Sequence, residues 1–146
     1  MVDDFQLMQK IKGLGLSLDL FTAALIANES GGIPWAQRYE PAVERHLWLK
    51  HPDWTPVKIR YNSTSWGLTQ IMGYHVEGDP LQLMYPDVAM KETQRLRLEF
   101  NRQFSLAGDQ YDQMFRCWNT GHPDGTPYDP DYVANGLRRM EIWKGL

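Results

Sequence analysis

The sequence predicts a mainly α-helical protein of the α+β class, organised as one helical domain over residues 1–146. Apolar residues recur at spacings of three and four along most of the chain, whereas alternating strand patterns are weak. Glycine and proline separate these periodic segments, and no linker or internal repeat divides the chain. A chain of 146 residues, 42% of them apolar, has the usual size of one domain and can bury one sizeable core.

Two helices are predicted in the first 32 residues. Asp3 or Asp4 is expected to cap a helix that runs to about Lys12, where glycines follow. Ser17 is the predicted cap of a second helix, which is apolar nearly all round and therefore expected to be buried. This helix should end in the segment 28–32, Asn-Glu-Ser-Gly-Gly, because two glycines followed by a proline stop a helix.

The middle of the chain is less regular. A short helix is predicted over Glu40–Lys50, and Pro52 and Pro56 mark an irregular stretch after it. Val57–Tyr61 is the best candidate for a strand, and Ser65–Met72 is predicted to be a short helix entered from a polar turn.

Three further helices are predicted toward the C-terminus. Pro86 suits the first turn of a long helix, Tyr111–Trp118 is the next helix, and the proline-rich segment 122–130 is a loop. A last helix is expected from about Asp131. The core-facing stripe of the long helix is predicted to hold Ala89, Thr93, Leu96, Phe100 and Phe104. The corresponding stripe of the last helix is predicted to hold Val133, Leu137, Met140 and Trp143.

The charge balance argues against several classes of partner. The formal net charge is −3, from 18 acidic and 15 basic residues, without a long run of like charges. No basic stripe typical of nucleic-acid binding is present, and long-range attraction to an anionic wall or membrane is not favoured. A polymeric ligand would have to be held by a shaped cleft. The six tryptophans and seven tyrosines are typical of carbohydrate clefts or of cores, and core packing is the favoured interpretation for any one of them.

The sequence also carries expectations about compartment. The apolar run from Leu18 to Ala27 is interrupted by polar residues, is too short to span a bilayer, and lacks the basic flank of a signal peptide. We therefore expect no stable membrane insertion and no export signal. Cys117 is the only cysteine, so an intrachain disulfide is excluded, which fits synthesis in a reducing compartment.

Glu29 is the strongest candidate for chemistry. It stands at the end of the apolar helix, and apolar surroundings disfavour an ionised carboxylate, so a raised pKa is expected. A carboxyl group that stays protonated near neutral pH can act as a general acid. The alternative is a solvated glutamate at a helix end, although a negative charge there is mildly unfavourable with the helix dipole.

Four segments resemble, in order, the motifs of one enzyme family. Ala-Asn-Glu-Ser-Gly-Gly over 27–32 is similar to the Glu-Ser motif of the soluble lytic transglycosylases, relatives of goose-type lysozyme. Ser-Trp-Gly-Leu-Thr-Gln-Ile-Met-Gly over 65–73, Cys-Trp-Asn-Thr-Gly over 117–121 and Tyr-Val at 132–133 resemble the family's later motifs. Arg-Tyr-Glu-Pro over 38–41 resembles a segment of phage and prophage members. Each segment alone is weakly specific, but together they cover most of the chain.

The resemblance implies a lysozyme-like fold with an active-site cleft, and it implies roles for five residues. Glu29 would protonate the glycosidic oxygen between N-acetylmuramic acid and N-acetylglucosamine in peptidoglycan. Ser65 and Gln70 would line the cleft and bind the glycan. Asn119 would offer its amide to the N-acetyl or muramyl groups, and Tyr132 would hydrogen-bond the catalytic carboxyl.

These binding residues also have plainer interpretations. Gln70 could satisfy buried backbone groups, Asn119 could end its helix in the left-handed region, and Tyr132 could simply pack. The chain departs from the family's pattern at Thr69, Cys117 and Trp118.

Sugar hydrolysis usually takes two carboxylates, whereas a lytic transglycosylase needs one. In the latter, one glutamate acts first as acid and then as base, and the muramic acid 6-hydroxyl closes a 1,6-anhydro ring. We favour this mechanism over a hydrolytic muramidase of the same fold. Glu40 is a candidate second carboxylate, but an ion pair with Arg38 or Arg60 is the favoured interpretation. Further carboxylates in predicted loops are Asp53, Glu77, Asp79 and Asp87.

Other functional classes have less support. The four histidines form no His-Glu-x-x-His or other close ligand pair, so neither a metal site nor a cofactor is predicted. Cys117 as a nucleophile would need His122 as its base, and a buried packing cysteine is favoured instead. A wall-binding module without activity is the non-enzymatic alternative.

The resemblance to phage and prophage members predicts a lysis enzyme, with a tail-associated role as the alternative. Such an enzyme would be a monomer, made in the bacterial cytoplasm and carried to the wall through a membrane lesion made by another protein. Its partner would be the glycan strand of peptidoglycan.

Overall fold

The computed structural model describes residues 3–146 and shows an α+β protein in which helices predominate. The described chain divides into two compact units. The first unit holds the residues up to Gly32 together with Gln94–Leu146, and the second holds Ile33–Thr93. The predicted mainly α, α+β class is confirmed. The predicted single domain stays a prediction, since one folding domain can contain two compact units.

Seven α-helices and a three-stranded sheet occur among residues 3–146. The helices are α1 (Asp4–Lys12), α2 (Leu20–Glu29), α3 (Pro41–Lys50), α4 (Pro56–Asn62), α5 (Pro86–Phe104), α6 (Tyr111–Thr120) and α7 (Tyr132–Lys144). The strands are β1 (Gln37–Tyr39), β2 (Thr64–Trp66) and β3 (Ile71–Met72). Two short 3-10 helices follow at Gly73–His75 and Pro80–Met84, and none of the helices described is long and apolar enough to cross a bilayer.

Helix α2 forms the centre of the first unit. Every residue from Phe21 to Ala27 is buried, as its continuous apolar sequence predicts. The predicted cap at Ser17 is wrong. The helix begins at Leu20, because the Asp19 carboxylate accepts a hydrogen bond of 2.7 Å from the Thr22 amide and satisfies a donor of the first turn.

The cap of α2 is also an ion pair. The second carboxylate oxygen of Asp19 accepts from Nη1 of Arg97 at 2.6 Å, and the Arg97 guanidinium lies 4.7 Å from the ring centre of Phe21. Burial raises the pKa of Asp19, but the hydrogen bonds from Arg97 and Thr22 outweigh burial and hold this pKa below its ordinary value. The start of α2 is therefore held both by its own cap and by Arg97 of α5.

The second unit corrects two predictions. Val57–Tyr61, the candidate strand, lies in α4, because Thr55 caps this helix through the Lys58 amide and Pro56 occupies its first turn. Ser65–Met72, the predicted helix, is an antiparallel hairpin of β2 and β3. Sequence analysis also missed β1, which pairs antiparallel with β2, so that Arg38 lies opposite Ser65.

The turn of this hairpin explains why a helix does not form there. Gly67 has φ 83° and Gln70 has φ 54°, and both values lie in the left-handed region. A Cβ on Gly67 would lie 2.2 Å from the Leu83 carbonyl oxygen. The turn thus needs glycine for its conformation and for the close approach of backbone to backbone.

The C-terminal helices follow their predictions, with small differences. Helix α5 begins at Pro86 as expected, and α6 ends two residues later than expected, at Thr120. Val133 and Met140 of α7 are buried, but Leu137 is 38% exposed, so the predicted stripe is wrong at this position. Trp66 is buried, whereas Trp35 and Trp48 are exposed, and core packing does not account for these two.

Candidate functional site

A polar pair in the first unit joins the end of α2 to the start of α7. Glu29 is the last residue of α2, and Tyr132 is the first residue of α7. The Tyr132 hydroxyl donates a hydrogen bond of 2.8 Å to Oε2 of Glu29. The carboxyl is half-buried and the tyrosine is buried, so the pair is partly shielded from water. A hydrogen bond in such surroundings orients the carboxyl group.

A second contact ties the same two helix ends together. The side-chain amide of Asn28 donates 3.0 Å to the Tyr132 carbonyl oxygen. Its own carbonyl oxygen accepts from Nη1 of Arg139 at 2.6 Å. Asn28 is therefore held from both ends of its amide, directly beside Glu29.

Aromatic packing fixes the ring of Tyr132. The ring meets Phe115 edge to face, with centroids 6.1 Å apart, and Phe115 in turn packs on Phe21 at 4.6 Å. A Cβ on Gly136 would lie 2.5 Å from Cζ of Phe115, so a glycine is needed where α7 approaches α6. The hydroxyl of Tyr132 is consequently presented to Glu29 by a ring with little freedom.

Asn119 lies half-buried in the last turn of α6. The residue in the left-handed conformation is Gly121, with φ 84°, so the interpretation of Asn119 as a left-handed helix end is wrong. A role for its amide in binding acetamido groups stays a prediction.

Ser65 and Gln70 meet in the second unit. The Ser65 hydroxyl donates 3.0 Å to Oε1 of Gln70. Nε2 of Gln70 donates to the carbonyl oxygens of Ala36 and Gly67, both at 2.9 Å. The Gln70 amide thus satisfies backbone groups, as its plainer interpretation predicts, and it ties the residue before β1 to the hairpin turn. Glycan binding by either residue stays a prediction.

Other carboxylates of the second unit have structural partners. Glu40 pairs with Nε of Arg38 at 2.8 Å, which confirms one of the two partners expected for it. Glu44 accepts from the hydroxyl of Tyr39, and this bond raises the pKa of the tyrosine. Asp79 caps a 3-10 helix through the Leu81 amide.

Three further observations bear on chemistry. No cluster of three metal-binding side chains occurs among residues 3–146. Asp87 lies in the first turn of α5 and not in the loop predicted for it. Cys117 is 1% exposed, as a packing cysteine should be, and burial, with a contribution from Asp124, raises the pKa of its thiol to about 11. A thiol in this state is a poor nucleophile.

Sequence analysis missed Arg139 and the part that Asp4 plays beside it. Arg139 follows Tyr132 by seven residues, two helical turns, which places both on one face of α7 and could have suggested the link. Asp4 accepts from Nε of Arg139 at 3.1 Å and also pairs with Arg138. The pKa of Asp4 is lowered, chiefly by the hydrogen bond from Arg138. No pattern along the sequence could have predicted this contact across 135 positions.

Comparison with known proteins adds no relative, since no family model, no curated protein and no solved structure matches this chain. The resemblance to soluble lytic transglycosylases therefore stays a prediction that rests on the motifs.

Proposed function

We propose that this chain cleaves the β-1,4 bond between N-acetylmuramic acid and N-acetylglucosamine in peptidoglycan, with Glu29 as general acid and then base. The observation that carries the proposal is the 2.8 Å hydrogen bond from Tyr132 to Glu29. The motif resemblance assigns this bond to the catalytic carboxyl. The bond from a buried tyrosine distinguishes Glu29 from a glutamate that is only solvated.

The proposed reaction uses one carboxyl group. Glu29 gives its proton to the glycosidic oxygen while the bond from this oxygen to C1 of muramic acid breaks. Oε2 of the same carboxyl accepts from Tyr132, which holds the group in place during the transfer. The Glu29 carboxylate then takes the proton of the muramic acid 6-hydroxyl, and the 6-oxygen bonds to C1. A 1,6-anhydro ring forms, and no water is consumed.

Three of the other carboxylates already have structural partners. In the first unit, Asp4 is engaged by two arginines and Asp19 caps α2 while it pairs with Arg97. In the second unit, Glu40 is paired with Arg38. An inverting hydrolase would require a base with access to a water molecule, and each of these groups already has a structural partner.

The remaining parts of the proposal rest on the resemblance. The fold would be lysozyme-like, the active protein would be a monomer without cofactor, and Ser65, Gln70 and Asn119 would contribute to glycan binding. The biological setting would be phage or prophage lysis, after synthesis in the bacterial cytoplasm.

Mass spectrometry of fragments released from purified peptidoglycan tests the proposal. The expected result is anhydro-muramyl ends, each lighter by one water than a reducing end, and no such fragments from Glu29→Gln. Reducing muramic ends would instead identify a hydrolytic muramidase. If the wild-type protein binds the wall but releases nothing from any wall type, the enzymatic proposal is wrong and a wall-binding module replaces it.

A further inference from the structure

Three polar side chains of the first unit form a chain of hydrogen bonds that leads to the backbone of Tyr132, and the hydroxyl of Tyr132 separately bonds Glu29. Asp4 on α1 accepts from Nε of Arg139 on α7. Nη1 of the same guanidinium donates to Oδ1 of Asn28 on α2. The Asn28 amide donates to the backbone of Tyr132, whose hydroxyl reaches Glu29.

The Arg139 side chain is restrained to one orientation by its burial and its two hydrogen-bond partners. Its side chain is 16% exposed and its partner Asp4 is 25% exposed, so the ion pair is shielded on most sides. A guanidinium donates from nitrogens in a fixed plane, so binding Asp4 with one nitrogen sets the direction of the other toward Asn28. A lysine, with one ammonium group, cannot reproduce two donors in fixed directions.

The Asn28 amide links the oriented guanidinium of Arg139 to the backbone of Tyr132. An asparagine that accepts from Arg139 must present its nitrogen to the opposite side, where it donates to the Tyr132 carbonyl. Tyr132 is thereby tied to α2 at two consecutive residues, through its backbone to Asn28 and through its hydroxyl to Glu29. Loss of the first contact would remove one of these two ties between Tyr132 and α2.

We propose that Arg139, oriented by Asp4, is a positioning residue that acts through Asn28 to hold the Tyr132–Glu29 hydrogen bond in place. The inference rests on the proposed function for its catalytic meaning, but the positioning itself can be measured without activity. It also makes α1 part of the active-site support, although α1 carries none of the motif residues.

The neighbouring Arg138 supplies a matched control. It also pairs with Asp4, but its second contact is to Asn135 and not to Asn28. Arg138→Met and Arg139→Met therefore remove the same charge and one of the two partners of Asp4. Only Arg139→Met also removes the guanidinium that donates to Oδ1 of Asn28.

The experiment is carbon-13 NMR of protein labelled at the glutamate side-chain carboxyl carbon, with the Glu29 signal assigned by its loss in Glu29→Gln. Tyr132→Phe defines the signal position when the hydrogen bond is gone. We expect Arg139→Met to move the Glu29 signal toward this position and Arg138→Met to leave it at the wild-type position. An unmoved signal in Arg139→Met, or an equal shift in both arginine variants, would overturn the inference.

Kinetics on peptidoglycan supply the second readout. We expect Arg139→Met to lower kcat by about 10-fold with KM unchanged, and Arg138→Met to leave both at wild-type values. If Arg139→Met fails to fold, Arg139→Lys keeps the charge beside Asp4 and should still displace the Glu29 signal. A wild-type protein without activity would refute the proposed function, whereas the NMR result would still decide the positioning.

Discussion

The two compact units hold their predicted site residues in different ways. In the first unit, Glu29 is held by residues distant in sequence, since the bond to Tyr132 spans 103 positions and the bond between Asn28 and Arg139 spans 111. In the second unit, Ser65 and Gln70 are five positions apart, and Gln70 binds the Gly67 carbonyl three positions away. One arrangement depends on helix packing, and the other depends mainly on the geometry of a turn.

This difference separates residues that position a reactive group from residues that shape the fold. The contacts of the first unit converge on a carboxyl group that can exchange a proton. The contacts of the second unit end on backbone carbonyls of Ala36 and Gly67. Substitutions at Tyr132 and its supporting contacts should therefore affect turnover more than stability, and substitutions in the hairpin should do the reverse.

Tyr132→Phe and Ser65→Ala test this contrast with the largest expected effect. Tyr132→Phe removes the donor to Glu29 and keeps the ring, so kcat should fall about 100-fold, the loss expected when a reacting group is misplaced. Ser65→Ala leaves Oε1 of the half-buried Gln70 without this donor, so stability should fall by about 1 kcal/mol with kcat kept. Release of soluble fragments and thermal unfolding measure the two effects.

Opposite results would contradict the proposed difference between the two units. A Tyr132→Phe protein with wild-type kcat, or a Ser65→Ala protein that loses turnover while it is folded, would show that the two units do not divide these roles. An increase in KM of Ser65→Ala at a temperature where it is folded would support direct glycan binding by Ser65.

Two glycines of the second unit test how strictly the turn defines the hairpin. Gly67 and Gly78 have nearly equal φ angles of 83° and 82°, but only a Cβ at Gly67 would meet backbone, the Leu83 carbonyl oxygen at 2.2 Å. Gly67→Ala should cost about 3 kcal/mol, from strain and steric conflict together. Gly78→Ala should cost about 1 kcal/mol, from strain alone. Chemical denaturation measures both, and equal losses would contradict the close packing at Gly67.

The cap of α2 offers a smaller test in the first unit. Asp19→Ala should cost about 1 kcal/mol, because the Thr22 amide loses its acceptor, whereas Ser17→Ala should have no measurable effect. The pKa of Asp19 is lowered from 3.8 in the folded protein. Its contribution is therefore present above the unfolded-state pKa and is lost as the pH falls through the folded value. Unfolding at several pH values should show the stabilities of the wild-type protein and Asp19→Ala converging in acid. A difference in stability that widens in acid would refute the role of Asp19 as a charged cap.

The smallest effect is expected at Cys117. Its thiol is buried and has a pKa of about 11, so it should resist alkylation by iodoacetamide at pH 8 in the folded protein. In denaturant the same thiol should react readily. Rapid modification of the native protein, followed by mass spectrometry, would contradict its place in the core.

Helical periodicity predicted much of the first unit, but in the second unit it predicted only α3 and the start of α5. Helices α1, α2, α5, α6 and α7 each extend over nine residues or more, long enough for an apolar stripe to appear. Strands β1 to β3 have two or three residues each, too few to show an alternating pattern. The hairpin turn depends on the approach of the Leu83 carbonyl to Gly67, which has no trace in the local sequence.

The candidate site was also predicted only in part. The position of Glu29 at the end of a buried helix follows from composition, and the motif resemblance implied its bond to Tyr132. The support from Asp4, Arg139 and Asn28 required the packing of three helices, because charged residues on helix surfaces are usually solvated. Sequence motifs thus indicated the reacting groups, whereas only the fold indicates what holds them.

The proposed role of Glu29 as the acid of a wall-cleaving enzyme can be tested with three proteins. The rate of fragment release from peptidoglycan is compared for the wild-type protein, Glu29→Gln and Glu40→Gln, with wall binding measured alongside. We expect Glu29→Gln to bind the wall but to lose about 1,000-fold or more in rate, the contribution of a general acid, while Glu40→Gln keeps the wild-type rate. A wild-type rate in Glu29→Gln would show that Glu29 is not the acid.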